Sequence, residues 1–188
     1  MNDKKFLKVM FGNKGVNYEY KIDEVNIAET WNPNTYEPKE MGGFNFSTED
    51  KILRWLVRGD TIYDVKIPDD AEVIDCPSES APHGVFRSNK IVLTNPRPVT
   101  DELAMDFYLK SDLPEKSYYK SLAGVAIRGY RNTSLKIIED RVNKDNIDLV
   151  LSEISDFVTP YQSSGTAENG VEVYNEVMSM LNNIKKEV

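Results

Sequence analysis

The chain has 188 residues, of which 40% are hydrophobic and 10% aromatic, and its formal net charge at pH 7 is −8. This length and composition suffice for a buried core in one domain, or in a domain with a helical extension, and the single cysteine, Cys76, excludes an internal disulfide. The sequence has neither an apolar run long enough to cross a bilayer nor an amino-terminal signal pattern, so we expect a cytoplasmic protein with no membrane partner.

A glycine pair, Gly42 and Gly43, begins the most regular stretch of the first half of the chain. Glycine allows a sharp turn or a close approach of the backbone to another group. After the pair, Phe44 and Phe46 alternate as in a short strand. Ser47 with Asp50 has the spacing of a capping box, so the sequence predicts a helix that starts there.

The predicted helix has one apolar face, and a strand follows it. Ile52 and Leu56 have helical spacing, Gly59 is a typical helix stop, and alternating apolar residues follow up to Ile67. The sequence therefore predicts an α+β fold, a small twisted sheet with a capped helix, in residues 1–96. Its predicted core consists of Phe44, Phe46, Trp55, Tyr63, Val65 and Ile67.

Four short motifs follow one another between residues 10 and 96: Trp31–Pro33, Gly42–Phe46, Ile62–Ala71 and Ser88–Leu93. This series resembles the uncharacterised domain found ahead of ankyrin repeats in giant-virus proteins and in phage and clostridial proteins. The order of elements is also similar to that of small mono-ADP-ribosyltransferases, including one phage anti-CRISPR enzyme. The resemblance implies an ADP-ribosyltransferase-like layout and a protein of phage or mobile-element type.

The resemblance to the transferases also implies where NAD would bind. In those enzymes an Arg or His of the first strand binds the dinucleotide, and a Glu late in the sheet polarises the ribose. In this sequence the first predicted strand offers Lys8, and Lys90 lies near the position of the Glu. Without that carboxylate, an electrostatic term of a few kcal/mol is missing, about a hundredfold in rate. We therefore assign no catalytic residue and require no cofactor. The residues that would hold NAD are Trp31, Gly42, Gly43, Ser47 and Thr48.

Beyond the proline pair of Asn95–Pro98, apolar residues recur every three or four positions, as in helices. Thr100 is a typical N-cap, and Asp112 with Glu115 has the spacing of a second capping box. The sequence predicts a carboxyl-terminal helical bundle over residues 97–188, with a flexible link near 162–170.

The acidic charge is concentrated at the carboxyl-terminal end, which is typical either of a solvated helix face or of a phosphate-mimicking surface for a basic partner. Such a partner would be a protein, for example a basic nucleic-acid-binding protein; direct binding of nucleic acid is disfavoured. For the cations between Lys116 and Lys144, pairing with the chain's own acids is favoured over phosphate binding. The predicted partner-binding residues are Asp148, Glu153, Asp156, Glu172 and Glu176.

Three functions remain open at this point. The favoured one is an interaction protein that inhibits a host nucleic-acid-processing or defence machine by binding it. The alternatives are an active mono-ADP-ribosyltransferase using NAD and a structural adaptor. No metal site is expected, because His83 and Cys76 are the only residues of their types and no carboxylate spacing matches a calcium loop.

Overall fold

The structure, a computed structural model, describes residues 5–15, 18–78, 81–158 and 166–186, and for 156–158 it describes the backbone alone. Over these residues the fold is mixed α+β with an antiparallel sheet, which confirms the predicted class. No described helix is both long enough and apolar enough to span a bilayer.

The chain divides into two compact units. One comprises Met1–Ile52 with Gly59–Pro98, and the other comprises Leu53–Arg58 with Val99–Val188. The main division lies two residues beyond the boundary that the sequence suggested at 96/97. The difference is the short segment Leu53–Arg58, which belongs to the helical unit although the sheet's strands flank it in the chain.

An antiparallel seven-stranded sheet forms the first unit, with the spatial order β2-β7-β4-β1-β3-β6-β5. This order makes β2 and β5 the two edge strands. A short helix, α1 (Pro38–Met41), precedes the third strand. The strands are β1 (Phe6–Met10), β2 (Val25–Ile27), β3 (Phe44–Thr48), β4 (Thr61–Lys66), β5 (Val73–Asp75), β6 (Val85–Ser88) and β7 (Lys90–Pro98).

One face of the sheet carries an aromatic core. Alternate residues of a strand share a face, so Phe6 of β1 meets Phe46 of β3 and Phe86 of β6, with ring centroids 5.3 Å apart in each pair. Ile67 packs against this core, as predicted. The other predicted members that it contains are Phe44, Phe46, Tyr63 and Val65.

The prediction of a helix capped by Ser47 is wrong. Ser47 is paired with Leu7 inside β3, and the segment after the strand is a 3-10 helix, Glu49–Arg58. Strand pairing therefore outweighs the local capping signal. The buried Ser47 hydroxyl has no hydrogen-bond partner among the described residues.

Trp55 was also wrongly assigned to the aromatic core. Residues three apart eclipse one another in a 3-10 helix, so Leu53 and Leu56 form a fully buried row. Trp55 lies on another row, between the buried Ile52 and the exposed Arg58, is partly exposed and belongs to the helical unit. The Arg58 guanidinium carbon lies 4.9 Å from the centre of the indole ring.

In the rest of the second unit, the described residues form five helices. Thr100 caps the first of them, because its hydroxyl accepts a hydrogen bond from Leu103 N at 3.2 Å, as predicted. The second capping box is wrong, since Pro114 occupies the N-cap position and makes no side-chain cap bond. The helices are α2 (Asp101–Lys110), α3 (Glu115–Ile127), α4 (Arg131–Arg141), α5 (Ile147–Val158) and α6 (Gly170–Lys186).

Residues 166–170 of the predicted flexible link are held against the end of α3. Ala167 N donates to Ile127 O at 2.9 Å, and Asn169 Nδ2 donates to Gly129 O at 3.2 Å. Gly129 has φ +78, and a Cβ at that position would lie 2.0 Å from Asn169 Oδ1. These contacts give residues 166–170 a defined place in the fold, and the flexible link itself stays a prediction; its other part, 162–165, lies outside the described residues.

Two neighbouring positions on α2 test the packing of the helical unit. Phe107 is 1% exposed and Leu109 is 67% exposed. We expect Phe107→Ala to lower the free energy of unfolding by roughly 3–5 kcal/mol, because it leaves a cavity. Leu109→Ala, the matched control, should change it by less than about 0.5 kcal/mol. Urea unfolding followed by circular dichroism measures both, and equal effects would contradict this packing.

Candidate functional site

The glycine pair packs the segment around Trp31 onto the sheet. Gly43 N donates to Thr30 O at 2.9 Å, and Trp31 forms a β-bridge with Gly42. Both glycines have positive φ, and a Cβ on Gly43 would lie 2.6 Å from the indole ring. The indole nitrogen donates to Glu72 Oε2 at 3.0 Å. The aromatic ring that was expected to hold a nicotinamide is thus in contact with the chain's own backbone.

Ser47 and Thr48 lie at the opposite end of β3. Ser47 is four positions after Gly43, so about 13 Å of extended strand separates their Cα atoms. Both side chains are buried, and the Thr48 hydroxyl donates to Gly84 O at 3.3 Å. The structure therefore brings Trp31, Gly42 and Gly43 together and places the Ser-Thr pair apart from them.

The residues near the transferases' Arg and Glu positions have partners within the chain. Lys8 is buried in β1, where its ammonium group donates to the backbone and side-chain oxygens of Asn45 at 2.7 and 2.8 Å. Lys90 forms an ion pair with Asp70.

Burial raises the pKa of the Cys76 thiol, which favours its uncharged form. No cluster that could hold a metal ion occurs among the residues that the structure describes.

Gly43→Ala tests the close packing of the glycine pair. Gly12 is a matched control, because its φ of +54 is also positive but a Cβ there would meet nothing within 4 Å. We expect Gly12→Ala to cost about 1 kcal/mol from backbone strain. Gly43→Ala should cost roughly 1–3 kcal/mol more, since the methyl group overlaps the indole. Thermal unfolding checks this, and similar costs at the two positions would show that Trp31 can move away.

The predicted acidic surface of the helices is largely engaged in ion pairs. Glu153 lies 3.3 Å from Lys116 and 3.4 Å from Lys120, which ties α5 to α3. Glu176 accepts two hydrogen bonds from Arg131, one of them from Nε at 2.7 Å, and these hold the pKa of its carboxyl below its usual range. The expected intramolecular pairing of the basic residues is therefore seen for these three cations.

The other predicted acidic residues are placed differently from one another. Asp148 lies 2.8 Å from Lys185 on α6. Glu172 is exposed on the first turn of α6, where it adds to the electrostatic field at Arg131. The Asp156 side chain lies outside the described residues. The structure thus does not gather these acids into one uncompensated surface among the residues it describes.

The edge strand β2 offers a surface that the sequence reading missed. Ala28 N donates to Asn89 O at 2.9 Å. Residues of an antiparallel strand bond alternately to one side and the other, so Val25 and Ile27 direct their backbone N–H and C=O groups away from β7. The two residues are 50% and 59% exposed. Among the residues that the structure describes, the edge therefore presents backbone groups without a partner beside β-branched side chains.

Asn26 holds this edge in a fixed shape. Its side chain is 1% exposed and accepts a hydrogen bond from Lys21 N at 2.8 Å. The same amide donates to Lys21 O at 2.8 Å and Glu24 O at 3.1 Å, closing the turn before the strand. These bonds form within the chain itself. The free-energy cost of ordering β2 when a partner segment binds is therefore small.

The opposite edge is better protected. Cys76 N donates to Val85 O at 2.7 Å, so Cys76 directs its backbone groups toward β6. By the alternation along the strand, Ile74 of β5 does the same. Val73 and Asp75 therefore face outward, and the Asp75 carboxylate lies 4.0 Å from His83. A charge at an outward position is one way in which proteins block an edge. Of the two edges, β2 is thus the better docking strand.

Comparison of this chain with protein-family models, with curated proteins and with solved structures finds no match. The signal in the sequence was the alternation of Val25 and Ile27 between charged residues, which is too short to identify a strand or its position in a sheet.

Proposed function

We propose that this protein is an interaction protein that adds an extended segment of a partner protein to its sheet at β2. The observation that supports this is the edge at Val25 and Ile27, with exposed apolar side chains and outward backbone groups. Strand addition of this kind draws affinity from main-chain hydrogen bonds and specificity from alternate side chains. These residues supply no nucleophile and no acid or base, so the proposed activity is binding.

For the biological role, we propose a cytoplasmic protein of phage or mobile-element type that inhibits a host nucleic-acid-processing or defence machine. Two features support this role. The four motifs from Trp31 to Leu93 resemble the domain of phage and giant-virus proteins described above, and the net charge of −8 favours a basic partner. Inhibition by occupancy requires no catalytic group. A structural adaptor, the alternative in the same class, would bind without reducing the partner's activity.

The edge strand is tested with two proline variants. Ile27→Pro and Val73→Pro each remove an outward N–H group from a sheet edge and leave the hydrogen bonds within the sheet intact. From a bacterial lysate, we expect the wild type and Val73→Pro to capture the same partner and Ile27→Pro to lose it. The identified partner's activity, measured with and without the chain, then separates an inhibitor from an adaptor.

A further variant tests the same edge in case Ile27→Pro does not fold. Ile27→Thr keeps the strand propensity of a β-branched residue and removes most of the apolar contact. It should weaken capture and leave the circular dichroism spectrum unchanged. If Ile27→Pro and Ile27→Thr both fold and capture the partner as well as the wild type does, the proposal is wrong.

The transferase alternative has a separate test. The contact between Trp31 and Gly43 and the burial of Ser47 do not favour a nicotinamide site at these residues. We expect calorimetry with NAD to show no saturable binding, and mass spectrometry to show no ADP-ribosylated protein. Turnover of NAD that disappears in Ser47→Ala would establish the enzyme instead.

A further inference from the structure

The β2 edge lies between acidic side chains. Asp23 and Glu24 precede Val25, Glu29 follows Ile27 by two residues, and all three acids are exposed. Two cations lie nearby: Lys90, opposite Ile27 in β7, is ion-paired with Asp70. Lys21 lies 3.9 Å from Glu24, and both of these side chains are more than half exposed. An exposed pair of this kind contributes little. The edge therefore presents an apolar centre with an acidic residue or pair at each end.

A second copy of this chain does not fit these charges. Antiparallel pairing of β2 with its copy, centred on Asn26, would bring the end of one strand that carries Asp23 and Glu24 beside the end of the other that carries Glu29. The same contact would occur twice, by symmetry. Like charges directly opposite each other destabilise a strand pair, and charged flanks of this kind are how edge strands avoid pairing with themselves.

We propose that β2 selects an extended partner segment in which two alternate apolar residues are flanked on both sides by Lys or Arg. This inference rests on the proposed function and adds the chemistry of the partner. The apolar pair contacts Val25 and Ile27, and the flanking cations reach the acids at the two ends. Glu24 and Glu29 lie just outside the two ends of β2 and are five positions apart, which is at most about 17 Å of extended chain, so the basic flanks are spaced by no more than five or six residues.

Two synthetic peptides test whether β2 selects segments with basic flanks. One is Lys-Lys-Thr-Val-Thr-Val-Thr-Lys-Lys, and the other has Glu in place of every Lys. By fluorescence anisotropy at low salt, we expect the lysine peptide to bind the full-length chain about tenfold more tightly, as two or three exposed ion pairs would allow. The ratio should fall as the salt concentration rises, because screening weakens exposed pairs.

Matched charge reversals locate the effect. The double variant with Glu24→Lys and Glu29→Lys should prefer the glutamate peptide. The control is Glu37→Lys with Glu40→Lys, two exposed acids at the N-cap and within α1 whose reversal changes the net charge by the same amount. It should keep the preference for the lysine peptide. Loss of that preference in the control would mean general attraction to an acidic protein and would overturn the proposal.

The remaining outcomes separate this inference from the proposed function. If Ile27→Pro abolishes binding but both peptides bind the wild type equally, strand addition at β2 is supported and the selection of basic flanks is wrong. If Ile27→Pro binds the lysine peptide as tightly as the wild type does, strand addition and the selection of basic flanks are both wrong. A wild-type chain that sediments as a dimer, with Ile27→Pro a monomer, would make the second copy the occupant and would overturn the proposal.

Discussion

The antiparallel pairing of β1 with β3 on one side and β4 on the other is the constraint on which the sheet unit depends. This register directs Phe6 toward the aromatic core and turns Lys8 inward, where Asn45 accepts its hydrogen bonds. It also keeps Ser47 in the strand and delays the next helix until Glu49. Because the side-chain period of a strand is two, one residue of slip would exchange the two faces of β1, on both of which side chains are buried.

Electrostatics in the helical unit follow from packing rather than from composition. Arg131 and Glu176 are 45 residues apart in the chain, yet they form a bidentate pair between α4 and α6. Glu153 likewise joins α5 to α3 through two lysines. A carboxylate with a cation within 4 Å contributes less to a long-range field than its formal charge suggests. An acidic segment is therefore not the same as an acidic docking surface.

The β2 edge results from the order of the strands. β7 pairs with β4 on its inner side and with β2 on its outer side, and the sheet ends there. The Asn26 amide closes the turn before the strand, and exposed acids flank the strand at both ends. A short, charged edge resists aggregation and can still accept a complementary segment. In the function proposed for β2, the same residues protect the edge and recognise the partner.

Short-range signals were sufficient for the strands near Phe44 and Tyr63, for the cap at Thr100 and for the α+β class, because alternation and capping involve residues a few positions apart. They failed at Ser47, where a strand 40 residues earlier in the chain decides the conformation. They also failed to identify the candidate site at β2. Which strand forms an edge, which acids meet cations and which glycine contacts Trp31 depend on long-range contacts, so only the tertiary structure decided them.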